Sequence, residues 1–308
     1  MRQVLYFNIT YRCNQRCRFC FSHNTNGCRE RHDICCRDFN QILSNWAATV
    51  GDRVVINGGE PTVHTRLIDL INVATATQAE TVMYSNGVKF ADIGYCKRIM
   101  STGINRVTIP VHGNKTIHDR VTGIIGSYDR TVAGIKNIVQ SGFGRKLELK
   151  FIVSKEMSQT QFTPKSFIGE YVGDAALMSI VIAGMVNTKK AQENSYAFNQ
   201  DASFLNYVAK ATMSLRMDIP VKLYDVELCK GALGFRTWIQ SHKAVGDEPD
   251  YQYVFFDAEN LKGRKISYNS LRTEARCQDC WLAESCRSIT RGYSVLCLSG
   301  TKRYIVME

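Results

Sequence analysis

Three cysteines near the N-terminus, Cys13, Cys17 and Cys20, form a Cys-x3-Cys-x2-Cys run directly after the apolar segment Val4–Thr10. Cysteine thiolate is the usual ligand of iron–sulfur clusters, and runs of closely spaced cysteines are the usual way of holding them. Three thiolates on one short loop serve three irons of a cubane four-iron four-sulfur ([4Fe-4S]) cluster and leave the fourth iron open. An open iron takes a chelating ligand and passes an electron to it directly, whereas a cluster closed by four thiolates only stores or relays electrons. Two plainer readings compete. A structural zinc site wants four ligands, and His23, Cys28 and His32 stand near enough in sequence to complete one. A disulfide framework is the other.

Further along, Gly58-Gly59-Glu60-Pro61 follows the apolar Val54-Val55-Ile56. Alone it signals only a turn. It lies about 40 residues beyond the cysteine run, the length of one strand–helix–strand unit. Ser85-Asn86-Gly87, Ile109-Pro110-Val111-His112-Gly113 and His118-Asp119-x2-Thr122-Gly123-x2-Gly126-Ser127-Tyr128 follow in order.

In their order and spacing these pieces resemble the radical S-adenosylmethionine (radical SAM) superfamily, across roughly the first two thirds of the chain. Cys13, Cys17 and Cys20, with the aromatic Phe19 before the last cysteine, are similar to its cluster motif. The resemblance implies that Gly58, Gly59 and Glu60 receive the methionyl ammonium of SAM. It also implies that Ser85 and Asn86 reach the carboxylate or ribose, that His112 faces ribose or substrate, and that the backbone at Gly184 meets adenine. Pro110 replaces the serine common at its position, so ribose contact is not expected there. By the same resemblance SAM chelates the open iron, one electron cleaves the sulfonium, and the 5′-deoxyadenosyl radical abstracts hydrogen from a substrate C–H bond. A flavodoxin- or ferredoxin-type electron donor follows as a partner.

The elements that must position these residues are legible as alternating strands and helices, which argue for parallel βαβ units and an α/β fold. Strands are expected at Val4–Thr10, Arg53–Asn57, Glu80–Tyr84, Arg106–Val111, Leu147–Val153 and Met178–Ala183. Helices are expected at Phe39–Ala48, where Asp38 supplies the cap, and near Leu67–Ala74, Ala91–Met100, Tyr128–Val139, Pro164–Tyr171 and Ala202–Ser214. Six units resemble the family's partial (β/α)6 TIM-like barrel, with function at the C-terminal strand ends.

After residue 215 the alternation fades into short β-like pieces (Val221–Leu223, Tyr251–Phe256, Lys265–Tyr268, Tyr304–Val306). Residues 1–215 are therefore expected to form the barrel and 216–308 a small α+β domain. Cys277-x2-Cys280-x5-Cys286, with Cys229 before and Cys297 after, resembles the auxiliary-cluster domains called SPASM and twitch. The resemblance implies one auxiliary [4Fe-4S] cluster held by Cys277, Cys280, Cys286 and Cys229, with Cys297 as substitute. Thr290 stands where the full SPASM pattern has another cysteine. A closed zinc site competes at these four cysteines.

Composition bounds the rest. The chain has 308 residues, 44% of them hydrophobic, and no run of about 18 apolar residues that would cross a membrane. No signal-peptide pattern precedes the cysteine run, so a cytoplasmic protein is expected. Of the 12 cysteines, six lie between Cys13 and Cys36 and five between Cys229 and Cys297, so they mark two sites and not a scattered framework. The formal charge of +11 favours anionic partners, a phosphate- or carboxylate-bearing substrate among them.

Cysteines outside the clusters are candidate hydrogen donors to a substrate radical: Cys297 and the pair Cys35-Cys36. Cys96 reads as a small core residue. With the cysteine run starting at Cys13, a peptide-recognition domain is not expected ahead of it. Dehydrogenation or epimerisation of a natural-product intermediate such as a sugar, aminocyclitol or nucleotide is the leading expectation, and maturation of a ribosomal peptide comes second. A non-catalytic iron–sulfur or zinc protein that binds nucleic acid through its basic face is the remaining, disfavoured reading.

Overall fold

The structure is a computed structural model and describes residues 2–20, 33–50, 52–185, 189–196, 201–215, 218–226, 251–257 and 260–266. Six strands carry the expected barrel: β1 (Arg2–Thr10), β2 (Arg53–Gly58), β3 (Glu80–Tyr84), β4 (Arg106–Val111), β5 (Leu147–Val153) and β6 (Ser179–Gly184). Between and after them run α1 (Cys36–Asn45), α2 (Leu67–Ala76), α3 (Ile93–Met100), α4 (Lys115–Thr122), α5 (Ser127–Gln140), α6 (Lys155–Ser158), α7 (Pro164–Tyr171), α8 (Lys189–Glu193) and α9 (Ala202–Met213).

The sheet does not stop at six strands. β7 (Val221–Tyr224) pairs parallel with β6, and β8 (Tyr251–Asp257) pairs parallel with β1 at the opposite edge. β9 (Asn260–Ile266) then returns antiparallel on β8, so the order is β7-β6-β5-β4-β3-β2-β1-β8-β9. Three pieces expected in a second domain thus belong to the barrel's sheet. Local sequence hides this: β7 has only four residues and is a strand because β6 lies beside it, and the partner of β8 is β1 at the other end of the chain.

Side chains of the parallel strands split cleanly. Leu5, Phe7, Ile9, Val54, Ile56, Met83, Val107, Ile109, Leu149, Phe151, Ile180 and Ile182 join the helices in one large core. Their neighbours in sequence face the concave side, where Val4, Tyr6, Val55 and Val82 form a separate small cluster. Burial on both faces explains why strands such as Ser179–Gly184 are apolar without alternation.

Helix ends follow local rules. Asn114, Asp92 and Asp201 accept N–H bonds from Ile117, Tyr95 and Phe204 at the starts of α4, α3 and α9. Thr163 and Ser166 form a reciprocal cap with Pro164 in the first position of α7. One boundary differs from expectation: α1 begins at Cys36, capped by the Cys35 sulfur, which accepts the Asp38 N–H at 3.4 Å. Asp38 lies inside the first turn, favourable to the helix dipole without being the cap.

Candidate functional site

The cysteine loop leaves β1 at the buried Thr10 and is fastened on both sides by backbone bonds. On one side Gly59 N–H donates to Thr10 O at 2.7 Å and Glu60 N–H to Arg12 O at 2.9 Å. On the other, Arg16 N–H donates to Thr122 O and Arg18 N–H to Val121 O, each at 2.9 Å, at the end of α4. The glycines are required by this fastening. A Cβ on Gly58, whose φ is +143°, would stand 2.2 Å from Thr10 O, and one on Gly59 would stand 2.4 Å from Arg12 O. The close approach that excludes a side chain is therefore between two stretches of this chain, not only between chain and ligand.

Within the loop, Gln15 N–H donates to Cys13 Sγ at 3.4 Å, and Cys20 N–H closes a turn onto Cys17 O at 3.2 Å. The Cys13 thiol is pushed up to about 12, chiefly by the protein around it, with the charges of Glu60 and Cys20 adding to the effect. Only a bound cation makes a thiolate of it at neutral pH. Among the described residues no three His, Cys, Asp or Glu side chains converge to hold a single metal ion. The donor set fits a cubane, in which each cysteine takes a different iron.

Glu60 lies beside this loop and is 1% exposed. Its Oε1 accepts from Thr62 N–H at 3.1 Å, the Thr62 hydroxyl at 2.6 Å and the Ser85 hydroxyl at 2.8 Å. Its Oε2 accepts from Asn86 N–H at 2.7 Å. Burial raises its carboxyl above the ordinary range, against the pull of those four bonds. Every donor is neutral, and among the described residues no Lys or Arg forms an ion pair with it. A buried carboxylate without a counter-charge is complementary to a ligand ammonium. Ser85 thus serves to aim Glu60. Asn86 also links the third strand end to the cysteine loop, its amide donating to Asn14 Oδ1 at 2.6 Å.

Two imidazoles line the next strand end. His112 packs edge-on to Phe19 with ring centres 5.3 Å apart, and 5.2 Å from His118. Burial, with His118 and Lys150 adding, holds His112 well below the usual histidine range; burial brings His118 down to about 4. Both are neutral rings. His112 Nδ1, His118 Nε2 and Gln15 Nε2 are buried without a hydrogen bond from the chain and are open to a ligand or ordered water. The motif Asp119 to Tyr128 is structural: Asp119 accepts from Gly126 N–H, the Ser127 hydroxyl and Tyr128 N–H, and so fixes the start of α5.

Gly184 ends β6 and is buried, with Met185 bonded back to Val153 O. Of the thiol candidates, Cys35 is exposed at the cap of α1, and Cys36 packs half-buried against the large core on the helical side of the sheet, away from the concave face. Cys96 is buried in that core, as its helical position suggested. Cys229, Cys277, Cys280, Cys286 and Cys297 lie outside the described residues. The structure adds Asn14, Gln15, Thr62 and His118 to the site. None was a candidate site residue in the sequence: Asn14 and Gln15 lie inside the cysteine run, Thr62 follows Glu60-Pro61, and His118 opens the motif that runs to Tyr128. Below the site the concave face shows half-buried Asn57, Tyr84, Pro110, Lys150, Ile152 and Tyr224, with Lys150 Nζ 5.6 Å from the Tyr224 ring centre.

A parallel partial barrel that presents a three-cysteine loop and a buried carboxylate at the C-terminal ends of its strands is a scaffold for cluster chemistry on a small ligand. Residues 7–153, just under half of the chain, match the family model of the Radical SAM superfamily and form a radical SAM domain. Such a domain implies SAM and a [4Fe-4S] cluster as cofactors.

Among curated proteins, Pre-heme d1 synthase of Dinoroseobacter shibae is 24% identical over 214 residues, 69% of this chain and 52% of that protein. Mycofactocin maturase MftC of Mycolicibacterium smegmatis is 30% identical over 140 residues, 45% and 35% respectively. Fe-coproporphyrin III synthase of Methanosarcina barkeri is 23% identical over 155 residues, 50% and 38%. The chain spans about half or less of these relatives' length. Among solved structures, Streptococcus suis SuiB bound to SAM superposes with a TM-score of 0.63 at 13% identity, covering 93% of this chain and 72% of that one. The fold of anSMEcpe with bound AdoMet is equally close, with a TM-score of 0.63 at 11% identity over 97% and 92%.

Proposed function

We propose that this chain binds SAM between the Cys13–Cys20 loop and Glu60 and uses it to remove a hydrogen atom from a substrate C–H bond on the concave face. The observation that carries this reading is the buried Glu60, aimed by Ser85, Asn86 and Thr62 beside the three cysteines and paired with no cation among the described residues. Bound and reduced, cluster and SAM together supply a 5′-deoxyadenosyl radical. The protein's share is placement: Cys13, Cys17 and Cys20 leave one iron for the methionyl group, Glu60 takes its ammonium, and the His112–His118 pair offers unused ring nitrogens to hydroxyls. The roof of Phe19, with Pro110 and Ile152 on the concave face, keeps water from the radical's path.

In its finer form the reaction is dehydrogenation or epimerisation of a natural-product intermediate, with the basic chain favouring an anionic substrate. A thiol hydrogen donor would then be Cys297 or Cys35, since Cys36 faces the helical core. An auxiliary cluster on Cys277, Cys280, Cys286 and Cys229 belongs to the same proposal. Iron counts for wild type against Cys277→Ala test it, equal counts removing it. A second reading, maturation of a ribosomal peptide, is favoured by specific neighbours: the mycofactocin maturases, and SuiB bound to its precursor peptide SuiA, with a TM-score of 0.61.

The test is anaerobic incubation of the iron-reconstituted protein with dithionite and SAM. The reading expects 5′-deoxyadenosine and methionine in equal amounts; no nucleoside from a fully loaded protein refutes it.

A further inference from the structure

The cysteine loop has two sides. Gln15 is 4% exposed and Phe19 packs on His112, so these two face the barrel, whereas Arg16 and Arg18, on either side of Cys17, are exposed. Neither arginine side chain makes an ion pair among the described residues, although other surface cations do: Arg12 with Asp33, Arg66 with Asp69, Lys115 with Asp129. Beside them runs the turn after α4. Gly123 lies against Arg16, its absent Cβ position 3.3 Å from the Arg16 Cβ, and Ile125, two residues on, is 94% exposed. An apolar tip beside two cations that no described residue compensates, on the outer side of the loop that carries the cysteines, is a recognition surface and not a solvated face that balances itself.

We infer that Arg16, Arg18 and Ile125 dock a small acidic protein that carries one electron at a time, a reduced flavodoxin being the chemical type. The inference rests on the radical reading above, because that chemistry consumes an external electron at each cleavage. One electron leaves the donor, which is oxidised by one, and enters the cluster. It ends in methionine when the sulfonium C5′–S bond breaks. A donor seated on these side chains has its redox centre against the Cys17 side of the loop, while the barrel side stays free for SAM and substrate. Negative surface on the partner meets Arg16 and Arg18, and an apolar rim around its redox group meets Ile125.

The experiment measures binding of a fluorescently labelled acidic flavodoxin to the reconstituted protein at low salt, with dithionite-reduced EPR of the cluster as the independent check. Wild type should bind, and binding should weaken steeply as salt rises. Arg16→Glu with Arg18→Glu should weaken it about tenfold or more, while leaving the dithionite-reduced cluster signal intact. Arg16→Lys with Arg18→Lys should keep most of the binding, and Ile125→Glu should weaken it with no change in dithionite-driven 5′-deoxyadenosine. Charge-reversed protein that binds like wild type, a wild type that does not bind, or loss of the cluster signal in the Glu variants overturns the inference. Failure of the radical reading shows separately, as absence of 5′-deoxyadenosine under dithionite.

Discussion

The two ends of the barrel treat polar groups in opposite ways. At the N-terminal strand ends Glu148 accepts from the Thr108 and Ser179 hydroxyls at 2.9 and 2.5 Å and pairs with Arg106 and Lys222 at 3.2 and 3.1 Å. Glu80 closes the layer with Arg53 at 2.6 Å and Arg106 at 3.1 Å. Burial opposes ionisation of Glu148, but Arg106 and then Lys222 bring it down to about 2. At the C-terminal ends the carboxylate is given neutral donors alone, and three buried nitrogens, of Gln15, His112 and His118, have no hydrogen bond, against one, Arg106 Nε, in the lower layer. Charges that meet each other stabilise a plug; groups held in place but incompletely matched make a binding site. The same sheet supports both.

The sharpest way to break this contrast is at the upper end. Cys17→Ala should leave the fold intact, remove the N-terminal cluster, and reduce 5′-deoxyadenosine to background; iron content and product analysis check it. At the lower end Glu148→Ala takes its carboxylate from Lys222 and leaves the buried Arg106 with Glu80 alone, and should cost about 3 kcal/mol of stability, with turnover per folded molecule unchanged. Denaturant unfolding beside SAM cleavage separates the two effects.

Acid sharpens the contrast further. The fold keeps His118 neutral down to about 4, so the unfolded chain takes up a proton first, and stability falls as pH drops from 6.5 toward 4. Glu148 ionises more readily folded than unfolded, so its contribution is whole above the ordinary carboxylate value of 4.5 and is lost on the way to about 2. His118→Gln should remove its own share of the first part of the decline, on the order of 3 kcal/mol, and leave both the share of His112, which the fold also keeps neutral, and the second part. Melting temperature against pH, for both proteins, checks it. The smallest effect is expected at Ser85→Ala, which deletes one of the four bonds to Glu60 and should weaken SAM binding by roughly tenfold, about 1.4 kcal/mol. Equilibrium binding to the reconstituted protein reads it.

Much of this was written in local sequence. The runs Val4–Thr10, Arg106–Val111 and Leu147–Val153 read as strands because they are rich in β-branched, aromatic and aliphatic residues, and the helix Pro164–Tyr171 is started by Thr163, Pro164 and Ser166. Cys13, Cys17, Cys20 and Glu60 were visible as motifs and lie at one site. What stayed hidden was non-local. The four residues Val221–Tyr224 are a strand only because β6 is beside them, and Tyr251–Asp257 lies next to β1 across almost the whole chain. The work of Ser85 is invisible until β3 brings it to Glu60, and that of Gly59 until the cysteine loop crosses it. α4 was not among the expected helices because Lys115–Thr122 is short and polar on one side; its Asn114 cap was the missed signal.

The central claim is that the three-cysteine loop leaves one iron free for SAM, whose ammonium Glu60 receives. EPR of the dithionite-reduced protein, recorded with and without SAM, addresses that iron directly. A shift of the cluster spectrum when SAM is added, absent in a Cys17→Ala sample, is the predicted result. An identical spectrum with and without SAM, from a protein loaded with its full iron, would contradict it.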